Sequence, residues 1–138
     1  MRRNTWLAVM LTAVLLAGCT GFGPGLGDWK YPLPNNYSIW RINGQSIVFG
    51  IESDHVLEET ITGYVAAFCY GERFVGLQVR ETYSARAATF WLADTETGET
   101  QSAENVRAFH RLCKSCGAND LCDWLETDSA PDGAKFPE

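Results

Sequence analysis

The chain is poor in basic side chains. Eleven lysines and arginines stand against seventeen aspartates and glutamates in 138 residues, and two of the eleven, Arg2 and Arg3, lie at the extreme amino terminus. A balance of that sign repels phosphate backbones, and no basic cluster offsets it, so nucleic acid is excluded as a partner. Histidine is scarcer still. His55 and His110 are the only two, and neither follows a G-x-S-x-G nucleophile turn. No residue is assigned a catalytic role. Long apolar runs are missing as well. The run Trp6 to Leu16 would extend only about 16 Å as a helix, roughly half of a hydrocarbon core, and so cannot remain as a membrane span. The Asp94 to Gly98 turn has no repeat elsewhere, which excludes a propeller.

What that short run does have is context. Arg2 and Arg3 precede it, and Leu16-Ala17-Gly18-Cys19 closes it with small residues before a cysteine. This is the pattern of a bacterial lipoprotein signal peptide over residues 1–18, with Cys19 taking a diacylglyceryl group and becoming an acylated amino terminus. At about 0.8 kcal/mol per buried methylene, two or more acyl chains hold firmly where one does not. The expectation is a membrane partner through the covalent lipid on Cys19, palmitate-like chains included, and a domain facing the periplasm or cell exterior. Cleavage leaves 120 residues, nine basic and seventeen acidic, for a net charge of −8. That is one domain, large enough for its own core.

Residues 19–28 read as a lipidated cysteine and glycine-rich tether, 29–126 as the globular domain and 127–138 as a disordered tail. Within the domain, Ser38 to Ile42 and Gln45 to Ile51 flank Asn43-Gly44, the strongest short-range hairpin signal. Trp40 and Ile42 would share one face of the first arm, and Ile47, Phe49 and Ile51 one face of the second. Glu52 to Thr60 reads as an acidic loop with one helical turn. Ile61 to Tyr70 and Phe74 to Thr82 form a second hairpin. The first of these arms is apolar on both faces, the mark of a central strand. Thr89 to Asp94 is a fifth strand. Ser102 then caps a helix running to Cys116 and stopped by Gly117, with Val106, Phe109, Cys113 and Cys116 on one stripe. The fold class is α+β: an antiparallel meander of about five strands covered on one face by a C-terminal helix.

Four cysteines remain after lipidation: Cys69, Cys113, Cys116 and Cys122. In an oxidising compartment they are disulfide candidates, and sequence does not choose among the three full pairings. The short loop favours Cys122 folding back onto Cys113 or Cys116. A redox role for Cys113-x-x-Cys116 is disfavoured, because such a pair works at a helix N-terminus and this one lies at a C-terminus. His110, Cys113, Cys116 and Cys122 together offer metal-ligand types, but paired knuckles are absent and exported thiols oxidise, so no metal and no cofactor are expected. Acids around His55 (Glu52, Asp54, Glu58 and Glu59) lack the spacing of a calcium loop and read as a solvated surface.

Several segments in this order resemble a group of small bacterial lipoproteins that carry a domain of unknown function. They are Gly27-Asp28-Trp29, Leu33 to Asn43, Tyr64 to Tyr70, Arg73 to Gly76, and Trp91 to Asp94 followed by a helix with Phe109. The resemblance implies a lipid-anchored envelope protein and carries over no activity and no site residues.

The expectation is therefore a non-catalytic binding or scaffolding protein of the envelope, with an envelope protein or a cell-wall glycan as partner. Two other classes stand beside it. One is a small envelope enzyme or metal protein using carboxylates or His110 with the C-terminal cysteines. The other is an inhibitor of a wall-degrading enzyme, whose basic surface the acidic charge would suit.

Overall fold

A computed structural model describes residues 27–136. The signal peptide, Cys19 and most of the tether lie outside the described residues, as do Pro137 and Glu138. The class is α+β: the described residues form nine strands in two antiparallel sheets, one α-helix and a 3-10 turn at Pro34–Asn36.

Strands β1 (Trp29–Pro32), β2 (Tyr37–Asn43), β3 (Ser46–Ser53) and β4 (Val56–Ile61) form the first sheet in sequence order. The second comprises β5 (Tyr64–Tyr70), β6 (Phe74–Arg80), β7 (Ala88–Asp94), β8 (Thr100–Ala103) and β9 (Leu125–Glu126), in the order β8-β7-β6-β5-β9. Helix α1 (Val106–Cys116) packs on β7 and β8. The five-stranded sheet is thus covered on one face by the C-terminal helix, as expected. Its other face meets the first sheet, so the expected single meander is in fact split between two layers.

The main core lies between the sheets. Ile39, Ile47 and Phe49 meet Val65, Phe68, Val75, Leu77 and Val79 there, all buried. A smaller core beneath the helix holds Leu92, Ala103, Phe109 and Cys113, with Phe90 and Trp124 packed against it. Strand β5 serves both, and every residue from Tyr64 to Cys69 is buried. Strict alternation would put Val65, Ala67 and Cys69 together. A bulge between Val65 and Ala67 instead turns Val65 to the side of Phe68, so that it pairs with Val79 while Phe68 pairs with Leu77. Gly76 lies opposite Cys69, where an added Cβ would sit 2.6 Å from Cys69 Sγ and 2.8 Å from Phe109 Cζ. Only a bare backbone lets the helix layer settle onto the sheet at that point.

Several expectations are corrected. In β2 the buried residues are Tyr37, Ser38 and Ile39, whereas Ile42 is 51% exposed and Trp40 faces outward with Val48. Asn43 pairs with Ser46, which leaves Gly44-Gln45 as the connection. The left-handed turn pair lies one hairpin later, at Asp54 (φ 50°) and His55 (φ 63°), between the paired residues Ser53 and Val56. Aspartate and histidine tolerate that region better than most residues, and the segment taken for an acidic loop is a third hairpin. Thr100–Ala103 joins the sheet edge beside β7, so the helix begins later. Asn105 rather than Ser102 caps it, its Oδ1 accepting from Ala108 N at 2.9 Å. Gly117 closes it in the left-handed conformation (φ 77°), as expected.

Both ends of the domain are longer than composition suggests. Asp28, expected in the tether, is buried, with Arg41 Nη1 3.7 Å from its carboxylate and also donating to Gly27 O. The tail is not disordered as far as it is described. Thr127 is 1% exposed; its Oγ1 donates to Val65 O at 2.7 Å and Ala66 O at 3.0 Å, at the bulge in β5. Further on, Lys135 exchanges two backbone hydrogen bonds with Lys30 on β1, at 2.7 and 2.8 Å. The C-terminal segment therefore runs from the edge of one sheet to the edge of the other.

Charged pairs hold the strand ends. Arg73 donates to both carboxylate oxygens of Asp94, at 2.9 and 2.6 Å, and Asp94 also accepts from Glu96 N at 3.0 Å. The Arg73 contact is the main cause that holds the Asp94 carboxyl well below the usual carboxylate range. Lys30, 2.6 Å from Glu52, lowers that carboxyl in the same sense. Both contributions to stability are complete above about pH 4, the unfolded carboxylate value, and are lost as pH falls from there through the lowered native-state values.

Two outcomes are expected. His55→Gly relieves the left-handed turn and raises stability by about 1 kcal/mol in denaturant melts; no gain would refute the turn assignment. Asp94→Asn lowers the denaturation midpoint at neutral pH, and its deficit against the parent narrows as pH is taken below about 4. A deficit independent of pH would show that the Arg73 pair is not its source.

Candidate binding cleft

One end of the sandwich is open. The β2–β3 connection, the crossing from β4 to β5 and the loop after β6 meet there around a cleft of about 620 Å³, within the usual range for ligand sites. The cleft exists because the chain must pass from one sheet to the other between Ile61 and Tyr64. Gly63 makes that passage at φ 135°, where an added Cβ would lie 2.6 Å from Val79 Cγ1 and 2.7 Å from Arg80 O. A glycine here brings the crossing down onto the end of β6 and sets the floor of the cleft.

Two tyrosines and two glutamates give the cleft its chemistry. Tyr83 is 53% exposed, and its ring stands against the buried Tyr64 ring at 5.5 Å between centroids and 75° between planes. That edge-to-face contact braces an otherwise free aromatic surface. Glu59 comes from β4 and Glu81 from the loop after β6; both are exposed. Glu59 Oε1 also accepts from Gly63 N at 3.3 Å, which ties the carboxylate to the crossing. Gln45, Ser46, Thr82 and Ser84 add an amide and three hydroxyls. Among the described residues, the lining carries no lysine, arginine or histidine. Such a wall accepts hydrogen bonds, offers an aromatic face and repels anions.

A second concavity, about 180 Å³, lies between the start of β6 and the C-terminus of α1. Its polar groups are engaged with one another: Arg73 with Asp94, and Gln101 Nε2 with Cys116 Sγ at 3.5 Å. The larger cleft is the better site.

The residues singled out in the sequence lie elsewhere. Cys69 is buried at the end of β5, and burial pushes its thiol up to about 12. Cys113 faces the sheet, and burial raises its thiol too. Cys116 is half-buried and Cys122 is exposed beside Tyr70, whose N–H donates to Cys122 Sγ at 3.3 Å. All four are free thiols. His110 is exposed on the helix. The structure does not gather His110, Cys113, Cys116 and Cys122, and among the described residues no group of three or more histidine, cysteine or acidic side chains could hold a metal. The acids near His55 are dispersed as well. Glu52 is bound to Lys30 and Ser38 on the outer face of the first sheet, while Glu58 and Glu59 pair with successive residues of β3. No described helix is long and apolar enough to cross a membrane.

Sequence reasoning missed Glu81, Tyr83 and the role of Gly63. The one available signal was Gly63 itself, a glycine inside an apolar strand pattern, which marks a bulge or a close backbone approach.

Gly63→Ala is expected to cost about 2–4 kcal/mol in stability, from the left-handed backbone and the clash with Val79 and Arg80. A substitution tolerated within 0.5 kcal/mol, the range of neutral surface changes, would mean that the crossing does not lie against β6. Comparison with known proteins supplies no relative from which a role could be carried over: no family model, curated protein or solved structure matches this chain.

Proposed function

We propose that this is a lipid-anchored protein of the bacterial envelope that binds a hydroxyl-rich ligand, a cell-wall glycan, in the cleft without transforming it. The observation that carries the reading is the exposed Tyr83 ring, braced by Tyr64 and flanked by Glu59 and Glu81. A sugar ring has an apolar face of C–H groups and a rim of hydroxyl donors. The tyrosine suits the first, and the carboxylates with Gln45 suit the second. The described lining, with two carboxylates and no cationic side chain among the described residues, disfavours phosphorylated or heavily carboxylated ligands. Anchoring is supported by Leu16-Ala17-Gly18-Cys19 after a short apolar run.

Binding is preferred to hydrolysis on grounds of burial. A glycosidase acid is a carboxyl set against apolar surface so that it holds its proton. Glu59 and Glu81 are both exposed to solvent.

The test has two arms. Titration calorimetry of the mature protein with a chito-oligosaccharide should give saturable binding, with Tyr83→Ala weakening it about tenfold, the equivalent of about 1.4 kcal/mol. No saturable heat, or equal affinity in the variant, overturns the glycan reading; release of shorter sugars overturns the non-catalytic one. In cells, Cys19→Ser should move the protein from the membrane to the soluble fraction, and unchanged membrane retention would refute the anchor.

A further inference from the structure

The thiols of β5 and of the segment before β9 are neighbours, although 53 positions of sequence separate them. Residues 120–127 run along the free edge of β5. Glu72 N donates to Asp120 Oδ2 at 2.8 Å, Cys122 N donates to Tyr70 O at 3.0 Å, and Tyr70 N donates back to Cys122 Sγ at 3.3 Å. Phe68 then pairs with Leu125 and Ala67 with Glu126, and Thr127 N reaches Ala66 O at 3.1 Å. These bonds set Cys122 opposite Tyr70, and so make it the diagonal neighbour of Cys69. With strands about 4.8 Å apart and a rise of about 3.3 Å per residue, the diagonal Cα separation is about 6 Å, inside the range a disulfide bridges.

We propose that Cys69 and Cys122 are the disulfide-forming pair of this domain, and that their bond fastens the C-terminal segment to the edge of β5. Three observations support this pairing over the alternatives. The Cys122 sulfur lies against the amide that follows Cys69, at 3.3 Å from Tyr70 N. Cys69 Sγ lies over Gly76, on the face where the Trp124 ring, two residues after Cys122, also stands. Cys116 is engaged instead with Gln101 and Ser115. The electrostatic pattern agrees, since Cys122 leads Cys113 among the charges that push the Cys69 thiol up.

Exposure orders the chemistry. Cys122, the accessible thiol, attacks a small or protein-borne disulfide oxidant as the thiolate, forming a mixed disulfide and expelling one thiolate of the oxidant. Cys69 then attacks the Cys122 sulfur and expels the second thiolate, which takes up the Cys69 proton as it leaves. Two protein thiols lose two protons and two electrons, and the oxidant leaves as two thiols. The bond closes residues 69–122 into a ring that includes β6, β7, β8 and the helix, and holds Thr127 at the β5 bulge.

The pairing rests on geometry; its occurrence in the cell rests on the envelope location proposed above. The experiment separates the two. The purified mature protein is equilibrated with oxidised glutathione, alkylated without reduction, digested and weighed by mass spectrometry. The expected product is a Cys69–Cys122 peptide pair lighter by two hydrogens, with Cys113 and Cys116 alkylated. Cys122→Ala should abolish it and lower the melting temperature of the oxidised protein by several degrees; being exposed, this change leaves folding intact. Linkage of either cysteine to Cys113 or Cys116, or four alkylated thiols, overturns the proposal. The same measurement on unreduced cell extract is expected to show the pair. Its formation with glutathione but not in the extract upholds the pairing and counts against the envelope location.

Discussion

Burial of β5 on both faces is the constraint on which the rest of the molecule depends. One face must meet the first sheet and the other must meet the helix layer, and each demands a different side-chain shape. Phe68 and Val65 fill the space between the sheets, whereas Ala67 and Cys69 are small where Phe109 and Trp124 press in from the other side. The bulge between Val65 and Ala67 lets one short strand satisfy both. A bulge also disrupts the ladder and leaves backbone acceptors to be satisfied. Thr127 accounts for two of them, its hydroxyl donating to Val65 O and its backbone N–H to Ala66 O. A buried carbonyl left without a donor costs about 1–3 kcal/mol, so the C-terminal segment is part of the fold and not an appendage.

The same constraint explains the path of the chain ends. An open sheet edge is a template for unwanted pairing. Residues 120–127 cover the edge of β5, and Lys135 covers β1 at Lys30. With the two edges joined by a single segment, the layers are tied together at the end where β1 and β5 approach. That end also carries the Tyr31–Tyr70 hydroxyl contact at 2.9 Å. At the opposite end no described residue forms such a segment, and the described chain crosses there through Gly63. The openness of that end gives the cleft. Scaffold and candidate site are thus two ends of one arrangement, one sealed and one left accessible.

Charge is arranged with the same economy. The acidic residues that the fold uses are matched: Asp94 with Arg73, Glu52 with Lys30, Asp28 with Arg41. Glu59 and Glu81 stand at the cleft, where no basic side chain lines the wall. The acidic surplus read from composition is therefore in part a local property of the open end, which suits a ligand that donates hydrogen bonds.

Sequence by itself determined the α+β class, the hairpins at β2–β3 and β5–β6, β7, and the glycine stop of the helix. It also marked β5 as a strand buried on both sides. These are local matters: period-two alternation, turn residues and helix caps act within a few positions of the chain. Only the tertiary structure decided the rest. The bulge that reassigns Val65 answers a volume requirement of two layers. Thr127 is buried because an acceptor sixty residues away needs a donor, and a tail rich in proline and glycine shows no trace of that need. Glu59 with Glu81, Tyr64 with Tyr83, and Cys69 with Cys122 come together because two sheets stack and one edge is capped. Proximity of that kind is a property of how layers pack, and no short window of sequence contains it.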